Sequence, residues 1–335
     1  MRSFKSILLT GGAGFIGSTL LRKLLERPDV HRVVVLDAFT YAGDRGNLTG
    51  PDQDPRFHLV EGSINDAALV QKTLDDYQVS GIFHLAAESH VDRSIIDPSN
   101  FVHTNIGGTS SLIECARSSE LPLLICSSDE VYGSTPVHYK FTESQPLRPS
   151  SPYSASKASA DLLALAAVTT HLQDIVIARC TNSYGPRQHR EKLIPKLIHQ
   201  ALRNQPLSLY GSGQQIRDWM HVDDCALGLI AVFERGTQGN IYHLGASCES
   251  TNLGIARRLL KLLHKPESLI THVKDRPGHD VRYALNVSRT LQTPQWKALI
   301  PFHTTRVSWP LRGTEEEIRA LDIYRGEKSN ICEPE

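Results

Sequence analysis

The sequence lacks the features of several large classes of protein. Its 36 basic and 36 acidic residues cancel, so the chain has no basic excess of the kind that nucleic-acid and membrane-surface binders carry. No apolar run reaches the roughly 18 residues that a membrane-spanning helix needs, and no signal peptide opens the chain. These absences predict a cytoplasmic protein that binds neither nucleic acid nor membrane.

Cysteine is scarce and irregularly spaced. No two cysteines form a CxxC pair, and none lies at zinc-like spacing from histidine, so no metal site is expected. The pattern favours free thiols in a reducing compartment. Cys126, which directly precedes an acidic pair, is the one candidate for a nucleophile, although a cysteine at a strand end more often only packs. The six positions are Cys115, Cys126, Cys180, Cys225, Cys248 and Cys332.

The rest of the composition is typical of a large folded protein, since 40% of the residues are hydrophobic. Short apolar runs alternate with helix-forming segments along the first 180 residues. This alternation predicts a parallel, doubly wound α/β sheet. The strands are predicted at 6–10, 32–36, 56–61, 81–85, 123–125 and 175–179, and the helices at 18–26, 66–76, 100–117 and 154–169.

A glycine-rich turn follows the first predicted strand at once and leads into the first helix. Gly11 permits the tight turn, Gly14 lets a diphosphate approach the backbone, and Gly17 lets helix and strand pack closely. The free N–H groups at the start of the helix then face the phosphates. The second strand ends in Asp37, whose carboxylate can bind both ribose hydroxyls of NAD and would repel the extra phosphate of NADP. Alternatively, Asp37 only caps a turn.

The strongest functional signal lies at 126–157. Ser128, Asp129 and Glu130 follow a buried strand, at the sheet edge where open α/β sheets bind their ligands. Tyr153 and Lys157 are four residues apart and therefore share one helix face. An ammonium beside the phenol, together with a positively charged nicotinamide ring, is expected to lower the phenol's pKa, so that Tyr153 can accept a proton from a substrate hydroxyl.

The acidic pair Asp129–Glu130 suggests a second kind of chemistry. Once a sugar C4 alcohol has become a ketone, one carboxylate can remove the acidic C5 proton. A carboxylic acid can then protonate the C6 hydroxyl as it leaves. Two such neighbours need different pKa values. The alternative is that both side chains lie in a solvated turn.

Another polar segment, 83–94, follows the fourth strand. Ala86 and Ala87 are small enough for a cofactor to lie against the backbone. His90 has no partner at metal-ligand spacing. Asp92 and Arg93 are expected either to form a structural ion pair or to line the ligand crevice.

These motifs together resemble the dTDP-glucose 4,6-dehydratases of the extended short-chain dehydrogenase/reductase superfamily. The resemblance covers most of residues 6–285, and the Asp-Glu pair is its most discriminating feature. The matching stretches are TGGAGFIGS (10–18), LDAFTYAG (36–43), HLAAESHVDRSI (84–95), SSDEVYGS (127–134), PYSASKASADLL (152–163), NSYGPRQHREKLIP (182–195), LYGSGQQIRDWMHVDD (209–224) and DRPGHDVRYAL (275–285).

The resemblance implies a Rossmann-like doubly wound parallel sheet with a smaller, discontinuous α+β substrate-binding domain. Residues 1–181, joined again by 220–245, would form the NAD-binding domain, and 182–219 with 246–335 would bind a nucleotide sugar. It also implies a homodimer that associates through the helix at 154–169. The catalytic residues implied are Ser128, Asp129, Glu130, Tyr153 and Lys157.

The resemblance further implies two sets of binding residues. The cofactor set is Gly11, Gly14, Phe15, Ile16, Gly17, Asp37, Thr40, Gly43, Ser63, Ile64, Leu85, Ala86, Ala87, Tyr153 and Lys157. The substrate set is Ser89, His90, Asn182, Glu191, Lys192, Leu193, Tyr210, Arg217, Arg276, His279 and Tyr283. Without the resemblance, Arg217 would be read equally well as the ion-pair partner of Asp218.

Four positions depart from the family pattern. Ser128 replaces threonine, Ser63 replaces an aspartate near the adenine, Ser183 replaces a second asparagine, and Pro310 would interrupt the expected terminal helix. The sequence leaves open whether the base is thymine or uracil. It also leaves open another nucleotide-hexose dehydratase or epimerase, and a non-catalytic NAD-binding scaffold.

Overall fold

The computed structural model describes residues 2–302, and its centre is a seven-stranded sheet in which every neighbouring pair is parallel. The strand order is β10-β6-β5-β4-β1-β2-β3. The predicted α/β class with a doubly wound parallel sheet is therefore confirmed. The strands are β1 Ser6–Thr10, β2 Arg32–Asp37, β3 Phe57–Glu61, β4 Gly81–His84, β5 Leu123–Ser128, β6 Ile175–Cys180, β7 Asn182–Tyr184, β8 Leu207–Tyr210, β9 Ile216–His221, β10 Ile241–Leu244, β11 Glu249–Thr251 and β12 Ile270–Val273.

Helices cover both faces of this sheet, which explains why its inner strands are almost continuously apolar. One core contains side chains of the first and eighth helices, and a second core lies under the second, fifth and sixth. The helices are α1 Phe15–Leu25, α2 Ala67–Asp76, α3 Val91–Ile96, α4 Ser99–Phe101, α5 Thr109–Ser118, α6 Pro152–His171, α7 Leu193–Leu202, α8 Val222–Arg235, α9 Asn252–Leu262 and α10 Ser288–Gln292.

The helix predicted at 100–117 is not regular. A π-helical segment, Val102–Gly108, separates α4 from α5. Within it, the Asn105 side chain accepts from the N–H of Glu88 and donates to the carbonyl of Glu88 and to Ser156 Oγ. The wider π turn points this buried amide at the loop after β4, a contact that helical periodicity alone does not predict.

Two smaller sheets, β11-β9-β7 and β12-β8, lie beyond the large one and share a third core with α7 and α9. Phe302 closes this core against Tyr184, at a ring-centroid distance of 4.6 Å, whereas Trp296 belongs to the first core. The prediction about Pro310, like residues 303–335 of the predicted substrate domain, lies outside the described residues. No helix within residues 2–302 is long and apolar enough to cross a membrane.

Candidate functional site

At the carboxyl end of β1, the backbone of the glycine-rich turn packs closely against the backbone of the loop after β4. Gly11 has a φ of +71°, and a Cβ placed there would come within 2.6 Å of the Ala86 nitrogen. A Cβ on Gly17 would lie 2.1 Å from the Gly11 carbonyl oxygen. Only glycine fits at either position, so the N-terminus of α1 is left open toward a cavity.

Asp37 lies at the end of β2, on the wall of the same cavity. Its carboxylate accepts from the N–H groups of Ala13, at 2.8 Å, and Phe39, at 2.9 Å. Burial raises the pKa of Asp37, and these two hydrogen bonds oppose the shift. Asp37 therefore caps a local turn and also lines the cavity, and its binding of the ribose hydroxyls stays a prediction.

The cavity has a volume of about 320 Å³ and runs along the carboxyl ends of the parallel strands, where open α/β sheets bind their ligands. Glycines and small side chains line one end, and acidic, basic and hydroxyl groups line the other. Such a lining could hold a dinucleotide along the backbone. The cavity residues include the whole predicted cofactor set: Gly11, Gly14, Phe15, Ile16, Gly17, Asp37, Thr40, Gly43, Ser63, Ile64, Leu85, Ala86, Ala87, Tyr153 and Lys157.

The predicted catalytic residues meet at the polar end of this cavity. Ser128, Asp129 and Glu130 come from the end of β5 and the 3₁₀ turn that follows it. Tyr153 and Lys157 come from the first two turns of α6. The hydroxyl of Ser151 caps this helix by accepting from the N–H of Ser154, in a reciprocal capping box.

Lys157 and Tyr153 differ from the sequence-based expectation. Lys157 Nζ donates to the Cys126 carbonyl oxygen at 2.7 Å. The pKa of Tyr153 is raised well above 10, not lowered, because burial and the charge of Glu130 disfavour the phenolate, and a hydrogen bond with Ser128 only partly offsets them. The expected lowering by Lys157 is wrong, since the sequence does not reveal where the lysine is directed or how the phenol is buried.

The two carboxyls lie in different environments. Asp129 is 3% exposed, and its Oδ2 atom is buried without a hydrogen-bond partner. Burial and the charge of Glu130 hold the pKa of Asp129 well above its ordinary value. Burial also raises the pKa of Glu130, but three cations oppose that shift: Arg276, Arg217 and Lys192. The alternative of a solvated turn is therefore wrong.

Four residues of the predicted substrate set line the cavity: Ser89, Asn182, Glu191 and Lys192. Lys192 Nζ donates to the Ser89 carbonyl oxygen at 2.7 Å. Leu193 begins α7 directly after Lys192. His90 Nε2 lies 3.6 Å from a carboxylate oxygen of Glu191.

The other members of the set lie on segments beyond the cavity lining. Tyr210 OH donates to one Asp92 oxygen at 2.9 Å, and Arg276 Nη1 contacts the other at 3.2 Å. The ring of His279 packs edge-on against Tyr210, with 6.0 Å between centroids.

Tyr283 links this outer group to the acidic pair. Its hydroxyl lies 3.5 Å from Glu130 Oε2 and donates to Asp280 Oδ2 at 2.8 Å. The Arg217 guanidinium stacks 4.1 Å above the Tyr283 ring. The aromatic ring therefore holds a cation next to the carboxyls.

Two ion pairs offered as alternatives do not form. Arg93 contacts Glu191 at 3.4 Å instead of pairing with Asp92, because Asp92 is held by Tyr210 and Arg276. Arg217 donates to backbone carbonyls, whereas Asp218 accepts from the N–H groups of residues 247 and 248.

Sequence reasoning missed a buried network behind the acidic pair. Arg179 Nε donates to Asp161 Oδ2 at 2.8 Å, and Arg179 Nη1 donates to the hydroxyl of Tyr132. That hydroxyl also lies 2.6 Å from His243 Nε2. The sequence held two signals of this network: an arginine in the middle of an apolar strand, and an aspartate one helical turn after Lys157. The network joins the catalytic turn to α6.

Within residues 2–302, no cluster of three or more histidine, cysteine, aspartate or glutamate side chains could hold a metal ion. A dinucleotide fits better, since the glycine turn, the Asp37 carboxylate and the open helix N-terminus share one cavity.

Comparisons with known proteins agree with this geometry. Residues 7–245 match the model of the NAD dependent epimerase/dehydratase family. The dTDP-glucose 4,6-dehydratase of Streptomyces griseus is 46% identical over 287 residues, which are 84% of this chain and 86% of that protein. The low-salt glycan biosynthesis protein Agl12 of Haloferax volcanii is 44% identical over 295 residues, 87% of this chain and 94% of that protein.

Among solved structures, DesIV, a dTDP-glucose 4,6-dehydratase from Streptomyces venezuelae crystallised with NAD and TYD, superposes with a TM-score of 0.87. It is 43% identical, and the match covers 96% of this chain and 97% of that one. The match of the family model, the identity to these relatives and the shared fold confirm the family predicted from the motifs: this chain belongs to the NAD dependent epimerase/dehydratase family.

Proposed function

We propose that this protein is an NAD-dependent dTDP-glucose 4,6-dehydratase. It would convert dTDP-glucose to dTDP-4-keto-6-deoxyglucose by oxidation at C4, elimination of water across C5 and C6, and return of hydride to C6. The observation that carries the proposal is the placement of two adjacent carboxyls, with different surroundings, in the same cavity as Tyr153 and Lys157. Two relatives that carry this name, from Streptomyces griseus and Streptomyces venezuelae, are 46% and 43% identical to this chain.

NAD would lie along the glycine-rich end of the cavity, and it would supply the hydride acceptor and donor that the reaction needs. Gly11, Gly14 and Gly17 would admit its diphosphate to the backbone, and Asp37 would bind the ribose hydroxyls. The remaining cofactor contacts proposed are Phe15, Ile16, Thr40, Gly43, Ser63, Ile64, Leu85, Ala86, Ala87, Tyr153 and Lys157.

Tyr153 would take the proton of the C4 hydroxyl. Burial and Glu130 raise the pKa of Tyr153, so the phenolate needs additional positive charge when substrate reacts. A bound positive nicotinamide ring would provide that charge. Ser128 would hydrogen-bond the same substrate oxygen, and Lys157, held by the Cys126 carbonyl, would fix the geometry beside Tyr153.

The environments of the two carboxyls support different roles for them. Asp129 has the pKa held well above its ordinary value and an unpaired buried oxygen, so it would carry a proton and give it to the C6 hydroxyl as water leaves. Glu130 faces three cations that favour its ionised form, so it would remove the C5 proton and later return it. This arrangement separates acid and base between adjacent residues.

The cationic groups at the other end of the cavity would hold the nucleoside diphosphate. Lys192 and the arginines suit phosphate oxygens, and Tyr210 presents an aromatic ring on which a pyrimidine can stack. The substrate contacts proposed are Ser89, His90, Asn182, Glu191, Lys192, Leu193, Tyr210, Arg217, Arg276, His279 and Tyr283. In the domain division that we propose, residues 1–181 and 220–245 bind NAD, and 182–219 and 246–335 bind the nucleotide sugar.

We also propose that the protein forms a homodimer and that it acts in the cytoplasm. Cys115, Cys126, Cys180 and Cys225 are free thiols, which suits a reducing compartment. Apolar side chains are exposed on α3 and α6: Ile96 is 85% exposed and Leu162 is 58% exposed. Light scattering should report a dimer for the wild type and a monomer for Leu162→Glu. Leu299→Glu, which changes an exposed leucine elsewhere, should remain dimeric, and a monomeric wild type would refute the dimer.

The reaction is tested by incubating the protein separately with dTDP-glucose, UDP-glucose and UDP-N-acetylglucosamine. We expect dTDP-glucose to yield a 4-keto-6-deoxy product that develops near-ultraviolet absorbance in alkali and has lost the mass of one water. No net change in bound NAD is expected over many turnovers. An epimer of unchanged mass, or no product from dTDP-glucose, would contradict the assignment.

A further inference from the structure

Three thiols lie in contact with one another, two in the cavity wall and one behind it. The proposed reaction uses none of them. Cys126, near the end of β5, and Cys180, at the end of β6, both line the cavity. Their Sγ atoms are 3.9 Å apart, and Cys225 Sγ lies 3.8 Å from Cys180 Sγ and donates to it. These distances are within hydrogen-bonding range for sulfur, so the thiols form a chain that ends at Cys126.

The surroundings of Cys126 favour its thiolate. The hydrogen bond with Cys180 lowers the pKa of Cys126, and the Lys157 ammonium acts in the same direction, whereas burial and Asp161 oppose them. The hydrogen bonds to Cys126 and Cys225 hold the pKa of Cys180 well above its ordinary value. Cys126 is thus the member of the chain whose thiolate is favoured, and its hydrogen bond with Cys180 contributes to that preference.

Cys126 is also the accessible member. It is partly exposed, and it shares the cavity wall with Ser127, Ser128 and Lys157. Cys225 is fully buried. A small reagent that enters the cavity can therefore reach the Cys126 sulfur, and a dinucleotide lying in the cavity would cover it.

We propose that Cys126 is a modification site for hydrogen peroxide, reached through the cofactor cavity and shielded when the cavity is filled. The thiolate sulfur attacks one peroxide oxygen, the O–O bond breaks, and hydroxide leaves and is protonated to water. The sulfur is oxidised to a sulfenic acid and the peroxide is reduced. Cys126 shares the cavity wall with Ser128 and Lys157, so an oxygen added to its sulfur should lower activity until a thiol reductant removes it.

The sulfenic acid, and not a disulfide, is the expected product. In the β5–β6 register Cys126 is opposite Ala178, and Cys180 is opposite Ser128. The two cysteines are therefore offset by two residues along their strands. Closing the Sγ–Sγ gap from 3.9 Å to about 2 Å would require the strands to shift.

The test treats the purified protein with hydrogen peroxide and dimedone, which traps sulfenic acids, and quantifies each cysteine peptide by mass spectrometry. Cys115 is the internal reference, since it is buried away from the cavity and burial raises its pKa. We expect Cys126 to react several-fold faster than Cys115, because the pKa of Cys126 is lowered whereas that of Cys115 is raised, and the thiolate is the form that attacks peroxide. Equal rates, or faster reaction at Cys115, would overturn the proposal.

Two further measurements tie the reactivity to its surroundings. Added NAD should slow the labelling of Cys126 and leave that of Cys115 unchanged; labelling of Cys126 that is indifferent to NAD would overturn the route through the cavity. Cys180→Ala should slow labelling of Cys126 by removing its hydrogen-bond partner. An unchanged rate in that variant would show that Cys180 does not activate Cys126.

The consequence for activity is measured as the fraction lost after peroxide, each protein being compared with its own untreated sample. The wild type and Cys115→Ala should lose activity and regain it with dithiothreitol. Cys126→Ala, which keeps the carbonyl that binds Lys157, should lose a much smaller fraction. An equal loss in Cys126→Ala would show that peroxide acts elsewhere.

Discussion

At one end of the cavity the wall consists of glycine, alanine and backbone, and at the other end it consists of charged side chains. The first end comes from short stretches at the ends of β1, β2 and β4, where Gly11 and Ala86 almost touch. The second end needs side chains that are far apart in the chain, such as Glu130 and Lys192. The first end would discriminate between ligands by their shape. The second end would discriminate between them by their charge and by where they can give or accept a proton.

The largest test of the charged end is Glu130→Gln. An amide cannot remove the C5 proton, so turnover should fall by about 10²–10⁴-fold while C4 oxidation continues and reduced cofactor accumulates on the protein. Stopped-flow absorbance of bound NADH during reaction with dTDP-glucose measures both effects. Glu61→Gln, which changes an exposed glutamate of β3, should behave like the wild type. Full turnover in Glu130→Gln would remove this glutamate from the mechanism.

The glycine end is tested by adding a single methyl group at two positions. Gly17→Ala would place its Cβ 2.1 Å from the Gly11 carbonyl oxygen, and it should lower the free energy of unfolding by about 1–3 kcal/mol. In Gly14→Ala the same distance is 3.2 Å, so the fold should be retained and the affinity for NAD should fall. Chemical denaturation and calorimetric titration separate the two effects. Weakened NAD binding in Gly14→Ala without loss of stability would support the proposed approach of the diphosphate, and unchanged binding would contradict it.

Tyr132→Phe tests whether the buried network behind the acidic pair stabilises the fold. Loss of the hydroxyl leaves Arg179 Nη1 and His243 Nε2 without this partner, which should cost about 1–3 kcal/mol of stability. Urea denaturation measures the change. Tyr139→Phe removes an exposed hydroxyl and should stay within about 0.5 kcal/mol of the wild type. Equal effects in the two variants would mean that the buried hydroxyl is not a stabilising part of the network.

The last test concerns pH. Because the folded-state pKa of Asp129 is raised, its contribution to stability is present at low pH and is lost as the pH rises through the folded-state pKa. Asp129→Asn removes that dependence, so the stability of the variant relative to the wild type should rise from about pH 4 until the pH passes the folded-state pKa of Asp129, by at most about 1.4 kcal/mol per pH unit. Thermal unfolding across this range measures the difference. A difference that does not change with pH would contradict the raised pKa.

The contrast between the two ends also explains what the sequence could predict. The glycine turn, Asp37 and the YxxxK pair are local patterns with a known spacing, so their place on the cavity wall followed from strand order alone. The contacts of Arg276 and Tyr210 with Asp92 join segments more than 100 residues apart. No local pattern encodes those contacts, and the nearest charged neighbour, Arg93, was the wrong partner.

The direction of the Tyr153 pKa shift was missed for a different reason. The sequence shows that Lys157 is one helical turn away, which suggests a favourable charge. It does not show that the lysine is directed to the Cys126 carbonyl or that the phenol is deeply buried. The irregular turn at Asn105 was missed similarly, because its cause is a hydrogen bond to a distant loop.

The late return of the chain to the large sheet has a consequence for synthesis on the ribosome. Strand β6 finds its outer neighbour only when β10 is complete, after the segments of β7, β8 and β9 have emerged. Until then the outer edge of β6 carries unpaired backbone groups beside the apolar side chains of Ile175 and Ile177. A nascent chain stalled before residue 241 would therefore expose an unpaired, apolar strand edge. We expect such fragments to associate with one another or with a chaperone.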